Sequence, residues 1–491
     1  MTGAGRGGFF GHPRGLATLF FTEMWERFSY YGMRALLVLF MTESAARSNA
    51  GLGFEIGEAT AIYGLYTSLV YLMSLPGGWI ADNLWGQRKA VFVGGSIIAA
   101  GHFSLALPSE PTFFLGLGLV IVGTGLLKPS VSSMVGDLYP EGGARRDAGF
   151  SIFYMGINLG AFFGPLVCGL FGERWDWHQG FSLAGVGMLL GLLQYRLGAG
   201  HLGGAGLLRP DAAAAAVQKR RGFYRSLAVA AVALLAGVAA TDALGVSLQK
   251  LAAWLGYGIV GLAPLYFVYL VTAGGHTALE KRRLAAIFWL FILAALFWSG
   301  FEQAGSSLNL FAERLTDRRV LGWEVPASWL QSVNPIFIIL FAPVFGWLWT
   351  WFAARGSSPS IPLKFALGLL GLCAGFFVIA WGAAGATPQT PVSPSWLVAT
   401  YFLHTVGELC LSPVGLSSIT KLAPRNRMGQ MMGVWFIAAS LGNLVAGLVA
   451  GRLESLAPAS LFSSVATFVG LAGLVALVAS PGVRRLMGDL R

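Results

Sequence analysis

Gly78-Trp79-Ile80-Ala81-Asp82-Asn83-Leu84-Trp85-Gly86-Gln87-Arg88-Lys89 reads G-x3-D-x3-G-x-R-K. This short charged stretch joins two long apolar runs, roughly 56–82 and 89–107. A helix that crosses a bilayer needs about 20 mainly apolar residues. Similar runs recur on both sides of the stretch. They fall at roughly 15–42, 111–139, 146–171 and 179–197, then at 224–247 and 251–273 after a polar, basic segment. The rest follow at roughly 284–313, 328–353, 361–383, 394–421, 428–451 and 458–480. The spacing predicts about fourteen spans grouped as six, two and six. The expected fold is an all-α polytopic membrane protein. Its expected parts are a six-helix bundle over 1–200, a linker with two additional helices over 201–283, and a second six-helix bundle over 284–491.

The whole chain agrees with that reading. Of its 491 residues 55% are hydrophobic and 11% are charged, whereas soluble domains carry about a quarter charged residues. The net charge of +11 would point to nucleic acid in a soluble protein. No basic stripe interleaved with aromatics supports that here, so no nucleic-acid partner is expected. The cations instead collect in alternate loops: Arg88 and Lys89; Arg145 and Arg146; Arg209, Lys219, Arg220 and Arg221; Lys281, Arg282 and Arg283; Lys421, Arg425 and Arg427. Basic loops stay on the cytoplasmic side, which predicts a multi-pass protein of the cell inner membrane with both termini cytoplasmic. Cys168, Cys373 and Cys410 stand singly in apolar runs and read as buried thiols. No metal site and no cofactor are expected. The first apolar run is long and charged, so it reads as a retained helix and not a cleaved signal.

The opening stretch resembles the loop signature of the major facilitator superfamily, which implies two pseudo-symmetric bundles around a midplane cavity. Physically, its glycines permit a tight turn. Asp82 can pair with Arg88 or with a neighbouring helix end and so bias one gating state. The plainer reading is a turn with an incidental ion pair. The corresponding stretch near Gly346 to Arg355 lacks the acid.

Charge inside a span costs at least ~2.5 kcal/mol per residue, so each such residue needs a cavity and a partner. In the first span, Glu23, Glu26, Arg27, Tyr30 and Arg34 follow helical steps and form one polar stripe. The apolar run Leu36 to Phe40 continues beyond it, which argues against a helix lying on the surface. Lys128 lies mid-span before Pro129. Asn158 sits among glycines that let helices approach, and helix-to-helix glue is as good a reading for it as ligand binding. In the second half stand Glu302, Asn334 before Pro335, Glu408, and Trp435, the last of which packing alone would account for. Cations thus dominate the first half and carboxylates the second. That arrangement suits a zwitterion. A short peptide could set its carboxylate near Arg34 and Lys128, its amine near Glu408, and its backbone near Tyr30, Tyr71, Asn158 and Asn334. A Glu302–Arg34 pair that breaks when Glu302 takes a proton would couple proton entry to helix movement.

Two stretches carry a closer resemblance. Glu23-x-x-Glu26-Arg27-Phe28-x-Tyr30-Tyr31-Gly32 is similar to the first-helix signature of the proton-dependent oligopeptide transporters, and Phe153-Tyr154-x-x-Ile157-Asn158-x-Gly160 to that family's second signature. The resemblance covers essentially the whole chain, including the extra helix pair of bacterial members. It implies a symporter that imports di- and tripeptides by alternating access, driven by the proton gradient, monomeric, and not an enzyme. It implies proton coupling by Glu23, Glu26, Arg27, Lys128 and Glu302. It implies substrate binding by Tyr30, Arg34, Tyr71, Lys128, Asn158, Asn334, Glu408 and Trp435, with Tyr66 the alternative to Tyr71. Asp82 and Arg88 would gate. Animal members carry a histidine after a tyrosine in the second span; here Tyr63 is followed by Gly64, so carboxylates must carry the proton. His102 and His404 read as structural. The other candidates are a facilitator-type drug antiporter and a carrier of a nitrate-like anion. Neither HExxH nor GxSxG occurs within the spans, which argues against an enzyme.

Overall fold

The computed structural model describes residues 8–141, 143–208, 219–220, 222–225, 245–424 and 428–488. The span expected at 224–247, with Asp242, lies almost wholly outside the described residues, as do Arg209, Arg221, Arg425 and Arg427.

The protein is an all-α polytopic membrane protein. Its helices are α1 (Arg14–Thr42), α2 (Ile56–Ile80), α3 (Gln87–Leu105), α4 (Glu110–Asp137), α5 (Gly143–Arg174), α6 (Trp177–Gly198), α7 (Leu248–Ala273), α8 (Ala278–Phe301), α9 (Ser307–Leu315), α10 (Val333–Ala354), α11 (Ile361–Ala383), α12 (Ser395–Leu422), α13 (Met428–Ala450) and α14 (Pro458–Met487). Ten described helical segments are long and apolar enough to cross a bilayer. Helix α1 is not among them, and it is the helix that carries Glu23, Glu26, Arg27 and Arg34.

Helix α14 runs to Met487, seven residues past the expected end, and three other boundaries differ, each for a local reason. Helix α8 starts six residues early, at Ala278. Thr277 Oγ1 accepts from the Glu280 N–H at 3.3 Å, and Glu280 Oε2 accepts from the Thr277 N–H at 2.8 Å. This reciprocal cap satisfies two donors that a helix start leaves open. The expected single helix over 284–313 is in fact α8, a 3-10 turn at Glu302–Gly305, and α9. The expected helix over 328–353 begins as a 3-10 turn, Ala327–Ser332, before α10. Pro335 sits in the first turn of α10, where its missing N–H costs no helical bond. A two-residue strand pair, Arg319–Val320 with Trp323–Glu324, turns through Leu321 and Gly322, both at positive φ; no strand is expected there from the sequence.

The chain packs as two units. The first lies within Met1–Leu36 and Leu69–Leu251, the second within Leu37–Ser68 and Ala252–Arg491. Helices α1 and α2 therefore contribute to both.

In the first unit, glycines set the helix spacing. A Cβ on Gly160 of α5 would lie 2.2 Å from the Met24 carbonyl oxygen and 2.8 Å from Arg27 Cβ. One on Gly164 would lie 2.5 Å from the Phe28 oxygen. The α5 face Gly156-x3-Gly160-x3-Gly164 thus lies directly on α1. Gly77 of α2 meets the Gly125 carbonyl of α4 as closely, and Pro129 supplies no helical N–H to that carbonyl. Gly160→Ala is expected to cost about 1–3 kcal/mol by overpacking and to lower the thermal midpoint in detergent. Gly118→Ala, where a Cβ meets nothing within 4 Å, should hold or raise it. Equal midpoints for Gly160→Ala and wild type would refute the close α1–α5 contact.

In the second unit, α11 packs along α14 and α12, and α8 along α13. The segment 37–68 joins them. Gly64 meets Gly447 backbone to backbone, Ser68 Oγ lies 2.7 Å from Ser440 Oγ, and the Glu454 carboxylate accepts from the Gly57 N–H at 2.5 Å near the start of α2.

The opening stretch forms a π-helical turn, Ala81–Trp85, closed by Gly86 at φ 78. Glycine is needed there twice over: for the positive φ, and because a Cβ would lie 2.8 Å from the Leu208 nitrogen. Asp82 Oδ1 accepts from Gln87 Nε2 at 2.8 Å. The Arg88 guanidinium donates to the Ala205 oxygen at 2.7 Å and to the Gly203 oxygen. Arg88 thus fastens the start of α3 to the segment after α6.

Candidate functional site

In the first unit the polar stripe of α1 is a buried charge cluster. Arg27 Nε lies 2.9 Å from Glu23 Oε1 and 2.6 Å from Glu26 Oε2. Glu23, Glu26 and Arg27 are 2%, 0% and 3% exposed, so water screens none of them. Two carboxylates against one guanidinium leave a charge that a buried site cannot hold alone. Lys128 supplies a second cation, whose field reaches Glu26. Glu23, Glu26, Arg27 and Lys128 thus gather charges of both signs in the first unit.

Lys128 is held from α4 by Tyr71 of α2, its Nζ 4.1 Å from the ring centroid. The Gly77–Gly125 crossing brings these helices close enough for that contact. Tyr66, the alternative to Tyr71, is buried. Arg27 Cζ lies 5.4 Å from the Tyr30 ring, and Arg34 Cζ lies 5.3 Å from the Tyr31 ring. Asn158 is buried and donates through Nδ2 to the Tyr154 carbonyl at 2.9 Å, within its own helix. Its glycine neighbours, and not its amide, make the close approach to α1.

In the second unit Glu302 occupies the point where α8 stops being α-helical. A 3-10 turn inside a helix marks a hinge or a strained site. Gln303 beside it donates to the Ser299 carbonyl and accepts from Ser307 Oγ at 2.7 Å, tying the two sides of the break together. Asn334 donates through Nδ2 to Thr405 Oγ1 at 2.9 Å and to Glu408 Oε2 at 3.2 Å. Glu302 and Glu408 are both buried, and the charge of Glu302 is felt at Glu408. Trp435 packs against Gly415 and lies 6.4 Å, edge to face, from Phe365.

Gln303 and Thr405 are members of the site that the sequence does not single out. For Thr405 a signal existed: it stands one turn before Glu408 on the same helix face. Of the thiols, Cys168 and Cys410 are buried and Cys373 is only partly so. No cluster of three or more potential metal ligands occurs among the described residues.

Polytopic helices in two units, with opposite charges buried inside them, define a secondary carrier of the major facilitator fold. A family model described as the POT family matches residues 88–460. The peptide transporter YePEPT of Yersinia enterocolitica is 42% identical over 98% of this chain and 96% of its own length. The di-/tripeptide transporter of Lactococcus lactis subsp. cremoris is 35% identical, over 98% of both chains. A crystal structure of a peptide transporter POT in complex with sulfate superposes with a TM-score of 0.89 at 41% identity, covering 98% of this chain and 97% of that one. The chain belongs to the POT family.

Proposed function

We propose that this protein is a proton-coupled symporter that imports di- and tripeptides by alternating access. The observation that carries the reading is the α1 cluster: two buried carboxylates and Arg27 in contact, with the charge of Lys128 on α4 felt at Glu26. A group of this kind gains or loses a proton only by changing its partners, and that links protonation to movement. The proton gradient supplies the energy, and no cofactor takes part.

In this reading Arg34 and Lys128 serve the peptide carboxylate. Glu408, oriented by Asn334, serves the amine. Tyr30, Tyr71 and Asn158 meet the peptide backbone and Trp435 walls the pocket. Glu302 carries the coupling proton, and Asp82 with Arg88 secures one gating state. The protein works as a monomer in the bacterial inner membrane. The basic loops at Arg88, Arg145, Lys281 and Lys421 support a cytoplasmic position for both termini.

The test is uptake of labelled dialanine into proteoliposomes under an imposed inward proton gradient. Uptake should accelerate with the gradient, collapse with a protonophore, and compete with tripeptides but not with free alanine. Uptake indifferent to the gradient, or no peptide-specific uptake at all, overturns the proposal.

A further inference from the structure

A cavity lies outside all of these residues. It is a cleft of about 790 Å³ in the first unit, between α1 and α6. Its two ends differ in chemistry. At one end are Arg14, the first residue of α1, and His201, just beyond α6; both are exposed. Toward the other end the walls are Phe21 and Trp25 of α1 and Leu190 and Leu193 of α6, while Leu197 lies nearer the Arg14 end, beside the Gly198–Thr18 contact. Phe21, Leu193 and Leu197 are exposed at 37%, 57% and 75%, so this face is turned outward, to whatever surrounds the helices. The polar side chains along the cleft are already engaged: Thr18 donates to the Gly198 oxygen, and Thr22 to Gln194. The apolar length therefore offers no unmet hydrogen bond to a polar solute.

Length and charge together name the occupant. From Arg14 to Trp25 the helix rises about 16 Å, half of a hydrocarbon core about 30 Å thick. A cleft of that length, opening at a helix terminus, matches the depth of one leaflet. An acyl chain fits its apolar walls, and a cation stands where a headgroup would lie. We infer that the α1–α6 cleft is a binding site for an anionic phospholipid, with the headgroup phosphate at Arg14 and one acyl chain along Phe21, Trp25 and Leu193. Trp25 shares its turn of α1 with Glu26 and Arg27, so the lipid would press on the back of the helix that carries the buried cluster.

The experiment uses the full chain in mixed micelles with phosphatidylglycerol or phosphatidylcholine bearing a photoactivatable acyl chain. Labelled peptides are mapped by mass spectrometry. Phosphatidylglycerol should label residues of the α1 segment 14–25 and the α6 segment 190–198 about fivefold more than phosphatidylcholine does, the preference a single interfacial arginine provides. Arg14→Gln should bring the two lipids level at those peptides, and Leu193→Trp, which fills the cleft, should remove the label for both. An excess of glycerol phosphate should not compete, because it has no chain to bury. Equal labelling by the two lipids in wild type, an unchanged preference in Arg14→Gln, or label confined to other helices overturns the inference. Unchanged thermal midpoints of both variants show that the loss is not unfolding.

Discussion

Replacing Glu302 with glutamine lowers gradient-driven peptide uptake by about tenfold or more and leaves exchange between two peptide pools within about twofold, a separation worth about 1.4 kcal/mol. The reason lies in shape against charge. Glutamine matches glutamate in volume, so the break between α8 and α9 and its Gln303–Ser307 tie are preserved. What is lost is a group that can be anionic in one state and neutral in another. Exchange needs the carrier to reorient with peptide bound, and the neutral side chain permits that. Net uptake needs the empty carrier to return after releasing a proton, and glutamine has none to release. Parallel measurement of counterflow and gradient-driven uptake in one proteoliposome preparation decides the point. Equal loss of both removes Glu302 from coupling.

Lys128→Ala is expected to cut the maximal rate of uptake about tenfold or more at saturating peptide. The α1 cluster holds two carboxylates and one guanidinium in contact. Without the Lys128 charge, the remaining anion is stabilised only by a proton it then cannot give up. The cation–π contact with Tyr71 also disappears, and with it the tie between α4 and α2 beside the Gly77–Gly125 crossing. A change confined to KM would make Lys128 a peptide ligand only, and unchanged kinetics would remove it from the site.

How far these residues could be read from the sequence depends on what each signal was made of. The spans were legible because twenty apolar residues in a row match the thickness of a hydrocarbon core and little else. Helix α11 runs Ile361–Ala383, as the apolar run does. The start of α8 was not, since Lys281, Arg282 and Arg283 look like a loop and only the Thr277–Glu280 cap shows that they are helical. The break at Glu302 has no proline to announce it. It is made by side-chain hydrogen bonds of Gln303 with Ser299 and Ser307, which belong to folded geometry. The charged members of the site stood out because charge is costly in lipid. Thr405 did not, because a threonine in a spanning helix usually bonds its own backbone, as Thr405 also does to Tyr401.

The buried stripe of α1 has a consequence for biosynthesis. At bilayer-centre values, four charged side chains oppose insertion by about 10 kcal/mol, and ten Leu, Val and Phe residues in α1 return only about 5. Taken alone, the first helix to leave the ribosome is a poor candidate for the lipid phase. The glycine face of α5, on which Met24, Arg27 and Phe28 of α1 pack, comes about 100 residues later and takes roughly 5–20 s to synthesise. During that interval α1 must wait in the translocation machinery or at the interface, and it settles across the membrane as a pair with α5. The charged residues buried in the first helix thus bear on the order in which the protein is assembled.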